Sequence, residues 1–184
     1  MKDVNSIVRQ FSRAGVNDCK IMRMAAISTQ PPDDASAVWR PDVTVATIVA
    51  RDGRFLVVEE CVRGEHVLNQ PAGHLENGES LATAACRETL EETGWSVELR
   101  HLVGVYQWLS GSGETFVRFT FAAEALHHDA GRPLDDGILR ALWLTRDEIA
   151  AGRPRSPMVL RGIDDWLAGQ RLPLAAVQAL GIAP

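Results

Sequence analysis

Residues 73 to 94, GHLENGESLATAACRETLEETG, carry three carboxylates within five positions, Glu88, Glu91 and Glu92. On a helix these stand at i, i+3 and i+4 and share one face. Like charges at that spacing repel and cost stability. A hard divalent cation with oxygen ligands is the natural partner to offset the repulsion. The segment has recognisable ends. Ser80 suits an N-cap and Gly94 a C′ position, which predicts a helix of about 13 residues. Leu81, Cys86 and Leu90 are expected on its inward side.

The rest of the 184-residue chain is consistent with one globular domain behind a different N-terminus. Hydrophobic residues make up 46% and charged residues 23%, an ordinary balance that allows a sizeable core. The formal net charge of −5 argues against a non-specific nucleic-acid binder, which needs a basic stripe. A small phosphorylated ligand stays open, because a metal can supply the positive charge. Cys19, Cys61 and Cys86 are far apart and form no C-x-x-C pair, so reduced thiols are expected. No apolar run approaches a membrane span, and Arg9, Arg13, Lys20 and Arg23 interrupt any signal-type stretch. A cytoplasmic protein with no membrane partner, a monomer or homodimer, is the expectation.

Residues 1–38 read as a poorly ordered extension, with a short amphipathic helix over residues 4–14 and a polar, proline-bearing linker around residues 28–34. A domain is expected over residues 39–184. Residues 43–50 and 55–59 read as strands joined by the Asp52-Gly53 hairpin turn. Residues 67–70 read as a short strand into a turn at residues 71–73. Two alternating strands are expected at residues 95–108 and 115–124, an acidic loop at residues 127–137, and a last strand at residues 139–144. A short helix follows at residues 145–150, and a final helix at residues 157–167 with Ser156 as N-cap and Pro157 at its first position. Composition and order alone indicate α/β or α+β.

The spacing G-x5-E-x7-R-E-x2-E-E-x-G is matched at Gly73, Glu79, Arg87, Glu88, Glu91, Glu92 and Gly94. Seven fixed residue types at ordinary abundance would coincide about once in 10⁸–10⁹ starts. The segment resembles the signature box of the Nudix hydrolase family. It departs at Thr89, where the box carries a bulky apolar residue, and at Trp95. The resemblance implies an α/β Nudix fold, a mixed β-sheet in an α/β/α sandwich. It implies Mg²⁺ (or Mn²⁺) held by Gly73, Glu88, Glu91 and Glu92, with Glu88 as the leading group for water activation. Gly73 suits its part because a glycine lets its carbonyl approach closely. Residues 40–46, 55–60, 69–76, 107–108, 118–119, 155–159 and 169–174 further resemble one bacterial phosphatase branch of the family. That branch implies hydrolysis of hydroxymethylpyrimidine and thiamine diphosphates and of nucleoside di- or triphosphates. Another Nudix specificity, for ADP-ribose or a damaged nucleoside triphosphate, and a non-catalytic metabolite sensor are the alternatives.

Around the box, Arg87 is expected to orient Glu79 or Glu88 through a bidentate pair. Asp135 and Asp136 either approach the metals, as the family often has it, or are solvated turn residues. Gln70, Gln107 and Trp108 offer hydrogen bonds and a stacking face to a ring, with Trp108 as core the competing reading. His74 either donates to a phosphate or braces its loop. Arg118 either binds phosphate or pairs with a nearby acid. His127 and His128 read as exposed loop residues. Leu68 stands where the branch is expected to carry Trp, so a wider, smoother ring-binding wall is expected.

Overall fold

The computed structural model describes residues 38–182. The expectations for residues 1–37, including the helix at residues 4–14, lie outside the described residues. The elements in chain order are β1 (Asp42–Arg51), β2 (Arg54–Val62), β3 (Glu65–Asn69), β4 (Ala72–His74), α1 (Leu81–Thr93), β5 (Trp95–Leu109), β6 (Thr115–His128), β7 (Ile138–Leu144), α2 (Arg146–Ala151) and α3 (Pro157–Leu167), then a 3₁₀ turn at Leu174–Ala176.

Strand β1 organises the sheet. Residues 44–49 are buried without a break, the signature of a strand covered on both faces. One edge of β1 pairs in parallel with β6, from Asp42 opposite Phe116 to Val49 opposite Ala123. Its other edge is shared: residues 44–46 pair with β4 and residues 50–51 with β2, both antiparallel. The β1–β2 turn has Asp52 at φ 52° and Gly53 at φ 73°, the two left-handed positions that a tight twisted hairpin requires. Strand β5 continues the sheet beyond β6, and β3 and β7 flank β2.

Alternation along the strands sends side chains to two helical layers. Val45, Leu102 and Phe121 meet Ala84 and Ala85 of α1 on one face. Ile48, Val57, Val103 and Ala122 meet Ile149 of α2 and Val159 and Ile163 of α3 on the other. This is the α/β/α sandwich with a mixed sheet.

Helix α1 is bounded as its ends foretell. Ser80 Oγ accepts from Thr83 N at 3.0 Å, and Gly94 at φ 71° donates its N–H to Leu90 O at 2.9 Å. Its buried face differs from the expected one. Ala84, Ala85 and Thr89 face the sheet beside Glu88 and Glu92, while Leu81, Cys86 and Leu90 are only partly buried at its flanks. Small residues let the helix lie close to the sheet, which brings the glutamates in with it. Thr89 is fully buried, and its hydroxyl donates to Ala85 O at 2.7 Å. Its oxygen lies 2.7 Å from Thr47 Oγ1 of β1, which leaves Thr47 as that donor. A satisfied pair of hydroxyls therefore stands where the motif carries an apolar side chain.

Two other boundaries differ from expectation, and one expected N-cap lacks its side-chain bond. Residues 72–74 form strand β4 rather than a turn, because β1 has edge groups left over beside β2. Strand β6 runs on to His128, opposite Trp95, so His127 and His128 are exposed strand residues, with His128 stacked on the Trp95 ring at 4.7 Å. Ser156 precedes α3 but makes no side-chain capping bond.

The hydroxyl pair gives a stability test. Thr89→Val should leave Thr47 as a buried donor without a partner and cost about 1–3 kcal/mol. Thr47→Val/Thr89→Val should recover most of that loss in urea unfolding. Equal loss in the single and double variants would contradict the pairing.

Candidate active site

Strand β4 sets the site because its two edges do different work. The bonds Thr47 N to Pro71 O and Leu75 N to Val43 O, with Val45 opposite Gly73, put Val45 and Gly73 in the hydrogen-bonded class of antiparallel pairs. Ala72 and His74 then fall in the other class, and their backbone groups turn away from β1 toward α1. Ala72 N–H donates to Glu92 Oε2 at 2.8 Å, and His74 O accepts from Arg87 Nη2 at 3.1 Å. Between them, a Cβ built on Gly73 would fall inside the Glu88 carboxylate. Glycine is required here by close approach.

Arg87 clamps the loop to the helix. Its Nε and Nη2 reach the two oxygens of Glu79 at 3.1 and 2.7 Å, the expected bidentate pair. Its Nη1 reaches Glu88 Oε1 at 2.8 Å and Glu91 Oε2 at 3.0 Å. Glu79 also accepts from Glu76 N at 2.7 Å, so it fastens the loop as well. The Arg87 bonds hold the Glu79 carboxyl below its ordinary range.

One oxygen each of Glu88, Glu91 and Asp135 lie within 4.8 Å of one another. Asp135 arrives because its backbone N–H bonds Glu91 O at 3.2 Å, which ties the acidic loop to α1. Asp136, expected beside it, is exposed and outside this group. Glu92 is also outside it, turned toward Ala72. Burial, against the Arg87 bond, pushes the Glu88 carboxyl up. Burial pushes Glu92 up to about 8, with Glu88, Glu60 and Asp135 adding to the rise. An all-oxygen set, crowded and resisting ionisation, fits a hard divalent cation.

Glu88 and Glu92 open into a cleft of about 330 Å³. Gly73 and His74 border it, and so does Trp108, which stacks on Phe116 at 5.6 Å. His74 is exposed, its Nε2 4.0 Å from Asp42 Oδ1. Arg118 is 6% exposed at the cleft wall, with Nη1 3.4 Å from Asn69 Oδ1 and Nε 3.5 Å from Thr44 Oγ1. It has no acid partner among the described residues. Burial and the nearby Arg155 pull its pKa down to about 10.

Three expectations fail here. Gln70 is 1% exposed and donates to Val159 O at 3.1 Å, so it braces α3 and does not line the cleft. Gln107 is exposed and borders the neighbouring cavity, together with Tyr106, Trp108 and Arg161, rather than the cleft of Glu88 and Glu92. Leu68 packs into the core beside Gly152, so it leaves the cleft wall unchanged. Sequence reading missed Glu60, Asn69, Arg155 and Ser156, all on the cleft. A glutamate and an asparagine inside apolar strands were the available signal. The β2–β7 register shifts between Glu59 and Glu60. Glu59 meets Arg140 and His66 on the outside, while Glu60 is buried and pairs with Arg155.

The family model of the NUDIX domain matches residues 38–166. The chain belongs to the Nudix family. Phosphatase NudJ of Escherichia coli strain K12 is 42% identical over 141 residues, 76% of this chain and 92% of that protein. Phosphatase NudJ of Shigella flexneri matches to the same extent. A solved NUDIX hydrolase from Nitrosomonas europaea superposes with a TM-score of 0.75 at 47% identity, covering 77% of this chain and 98% of that one. This Nudix chain is therefore an enzyme, a pyrophosphohydrolase of small phosphorylated compounds, from a family that uses divalent metals. The branch resemblance read from the flanking segments agrees with the NudJ relatives. The Nudix box here spans β4 to Gly94, with Arg87 as its internal clamp.

Glu92 predicts a pH dependence. Its carboxyl titrates near 8 in the fold, against 4.5 for the free group. Between those values the folded protein keeps a proton that the unfolded chain has lost, so stability falls as pH rises. In chelator the melting temperature should fall between about pH 5 and pH 8, and Glu92→Gln should flatten the fall. A Glu92→Gln profile parallel to wild type would contradict the assignment.

Proposed function

We propose that this Nudix enzyme hydrolyses the diphosphate bond of hydroxymethylpyrimidine and thiamine-type diphosphates, with broader activity on nucleoside di- and triphosphates, using Mg²⁺ (or Mn²⁺). The observation that carries the reading is the cleft itself. Within about 330 Å³ it joins the Glu88 and Glu92 carboxylates to the Trp108–Phe116 stack and to Arg118 and Asn69. Carboxylates and Arg118 for a diphosphate, beside an aromatic stack for a flat ring, match that layout. The kinship with Phosphatase NudJ over 76% of the chain supports the branch.

On this reading Glu88, Glu91 and Glu92 hold the ion, with Asp135 added to the set, while Gly73, whose backbone groups face β1, makes room for the Glu88 carboxylate. When bound, the ion supplies positive charge to the phosphate oxygens. Glu88 is the group that takes the proton of the attacking water, favoured by its raised pKa. Arg87 fixes the carboxylates of Glu88 and Glu91 in one arrangement. His74 reaches the phosphates from the exposed rim. Trp108 stacks on the ring, and Asn69 offers its amide to the ring edge. Gln70 and Gln107 act only as supports. The catalytic domain is taken as residues 39–184, in the cytoplasm, as a monomer or homodimer without nucleic-acid or membrane partners.

Phosphate release should require Mg²⁺ and fall at least a hundredfold in Glu88→Gln, about the scale of a lost general base. The same variant should melt no lower than wild type in chelator, because a repelling buried charge is gone. Full turnover by Glu88→Gln would remove Glu88 from this role. Hydrolysis of ADP-ribose a hundredfold faster than of both pyrimidine-type diphosphates would remove the substrate assignment.

A further inference from the structure

Opposite the carboxylates, the cleft wall carries unsatisfied groups of another kind. Ser156 is 7% exposed and lines the cleft, yet its Oγ has no hydrogen-bond partner. It is the N-cap of α3, an 11-residue helix, but gives that helix no side-chain cap. The first-turn N–H of Met158 follows Pro157, and a helix N-terminus carries partial positive charge with unpaired donors. Arg118 is the second buried group; its hydrogen bonds go to the neutral oxygens of Thr44 and Asn69, and no carboxylate among the described residues bonds it. Arg155 adds a half-exposed guanidinium, paired with the buried Glu60. Two guanidinium groups stand here beside the Glu60 carboxylate, with Glu92 also within electrostatic reach of Arg118. A hydroxyl without a partner, an uncapped helix and an arginine without an acid converge on one space.

We propose that Ser156, the N-terminus of α3, Arg118 and Arg155 form a metal-independent phosphate subsite. It rests on reading the cleft as the diphosphate site, and it adds a second grip. The carboxylate end needs a cation before it can hold phosphate, whereas this end holds phosphate directly, by donors already in place. Ser156 Oγ donates to a phosphate oxygen, the Met158 N–H is the first-turn donor of α3 left for it, and the two arginines neutralise its charge. Glu60 keeps Arg155 against the cleft. A substrate with two phosphate groups spans both ends, and one with a single phosphate can fill only one.

The test is calorimetric titration of inorganic phosphate into the full chain in excess chelator. Saturable binding is expected in wild type and in Glu88→Gln. Ser156→Ala and Arg155→Gln, the first small and the second at a half-exposed side chain, should each weaken it severalfold with the melting temperature held. Arg118→Gln should weaken it tenfold or more, the scale of a lost charged hydrogen bond. Absence of saturable binding, or equal affinity in wild type, Ser156→Ala and Arg155→Gln, overturns the subsite. Kinetics then identify the source of the phosphate. A raised KM for the diphosphate in Ser156→Ala, with kcat held, assigns the subsite to the substrate's own phosphate. An unchanged KM assigns it to free phosphate. If phosphate binds as expected but pyrimidine-type diphosphates are not hydrolysed, the subsite stands and the substrate reading falls.

Discussion

Packing the Glu88 carboxylate against the bare backbone of Gly73 governs the rest of the site. It draws α1 down onto β4, which is possible because the helix meets the sheet through Ala84, Ala85 and Thr89. Close docking partly buries the carboxylates. The fold answers with the donors at hand: Arg87 for Glu79, Glu88 and Glu91, and the Ala72 N–H for Glu92. Those bonds do not fully compensate, as the upward shifts of Glu88 and Glu92 attest. The remaining imbalance is the affinity that a divalent cation satisfies.

The cleft is polar at both ends for a topological reason. Strand β1 pairs with β4 on one edge and with β6 on the other, so the loop bearing the glutamates' partners and the strand bearing Arg118 are held one strand apart. Helix α3 then covers the opposite face and presents its N-terminus to the same space. Acidic and basic walls thus meet across a narrow opening, an arrangement suited to a ligand whose charge is spread over two phosphates.

Most of the frame was legible in sequence because it depends on local signals. The Asp52-Gly53 turn, the Ser80 and Gly94 caps and the charge spacing on α1 are each set within a few residues. The Arg87–Glu79 pair was legible too, since both sit in one motif. What escaped depends on tertiary pairing. Strand β4 exists only because β1 has a free edge. Gln70 reads as a ligand donor until α3 is seen to take its amide. Gln107 and Trp108 are neighbours in sequence and share one cavity, but only Trp108 also reaches the cleft of the glutamates. Glu60 looks like its neighbour Glu59 until strand β2 is seen to turn one toward Arg155 at the cleft and the other toward Arg140 outside. The Thr47–Thr89 pair joins residues 42 apart and could not be read from either alone.

The fold stores unionised or crowded carboxyls on α1 which a divalent cation relieves. The most direct measure of that relief is the number of protons released when Mg²⁺ binds. Calorimetric titrations at neutral pH, in buffers of different ionisation enthalpy, give that number. Release of close to one proton is expected, about what a carboxyl near pKa 8 must give up, with little release in Glu92→Gln. Mg²⁺ binding with no proton release at neutral pH would contradict it.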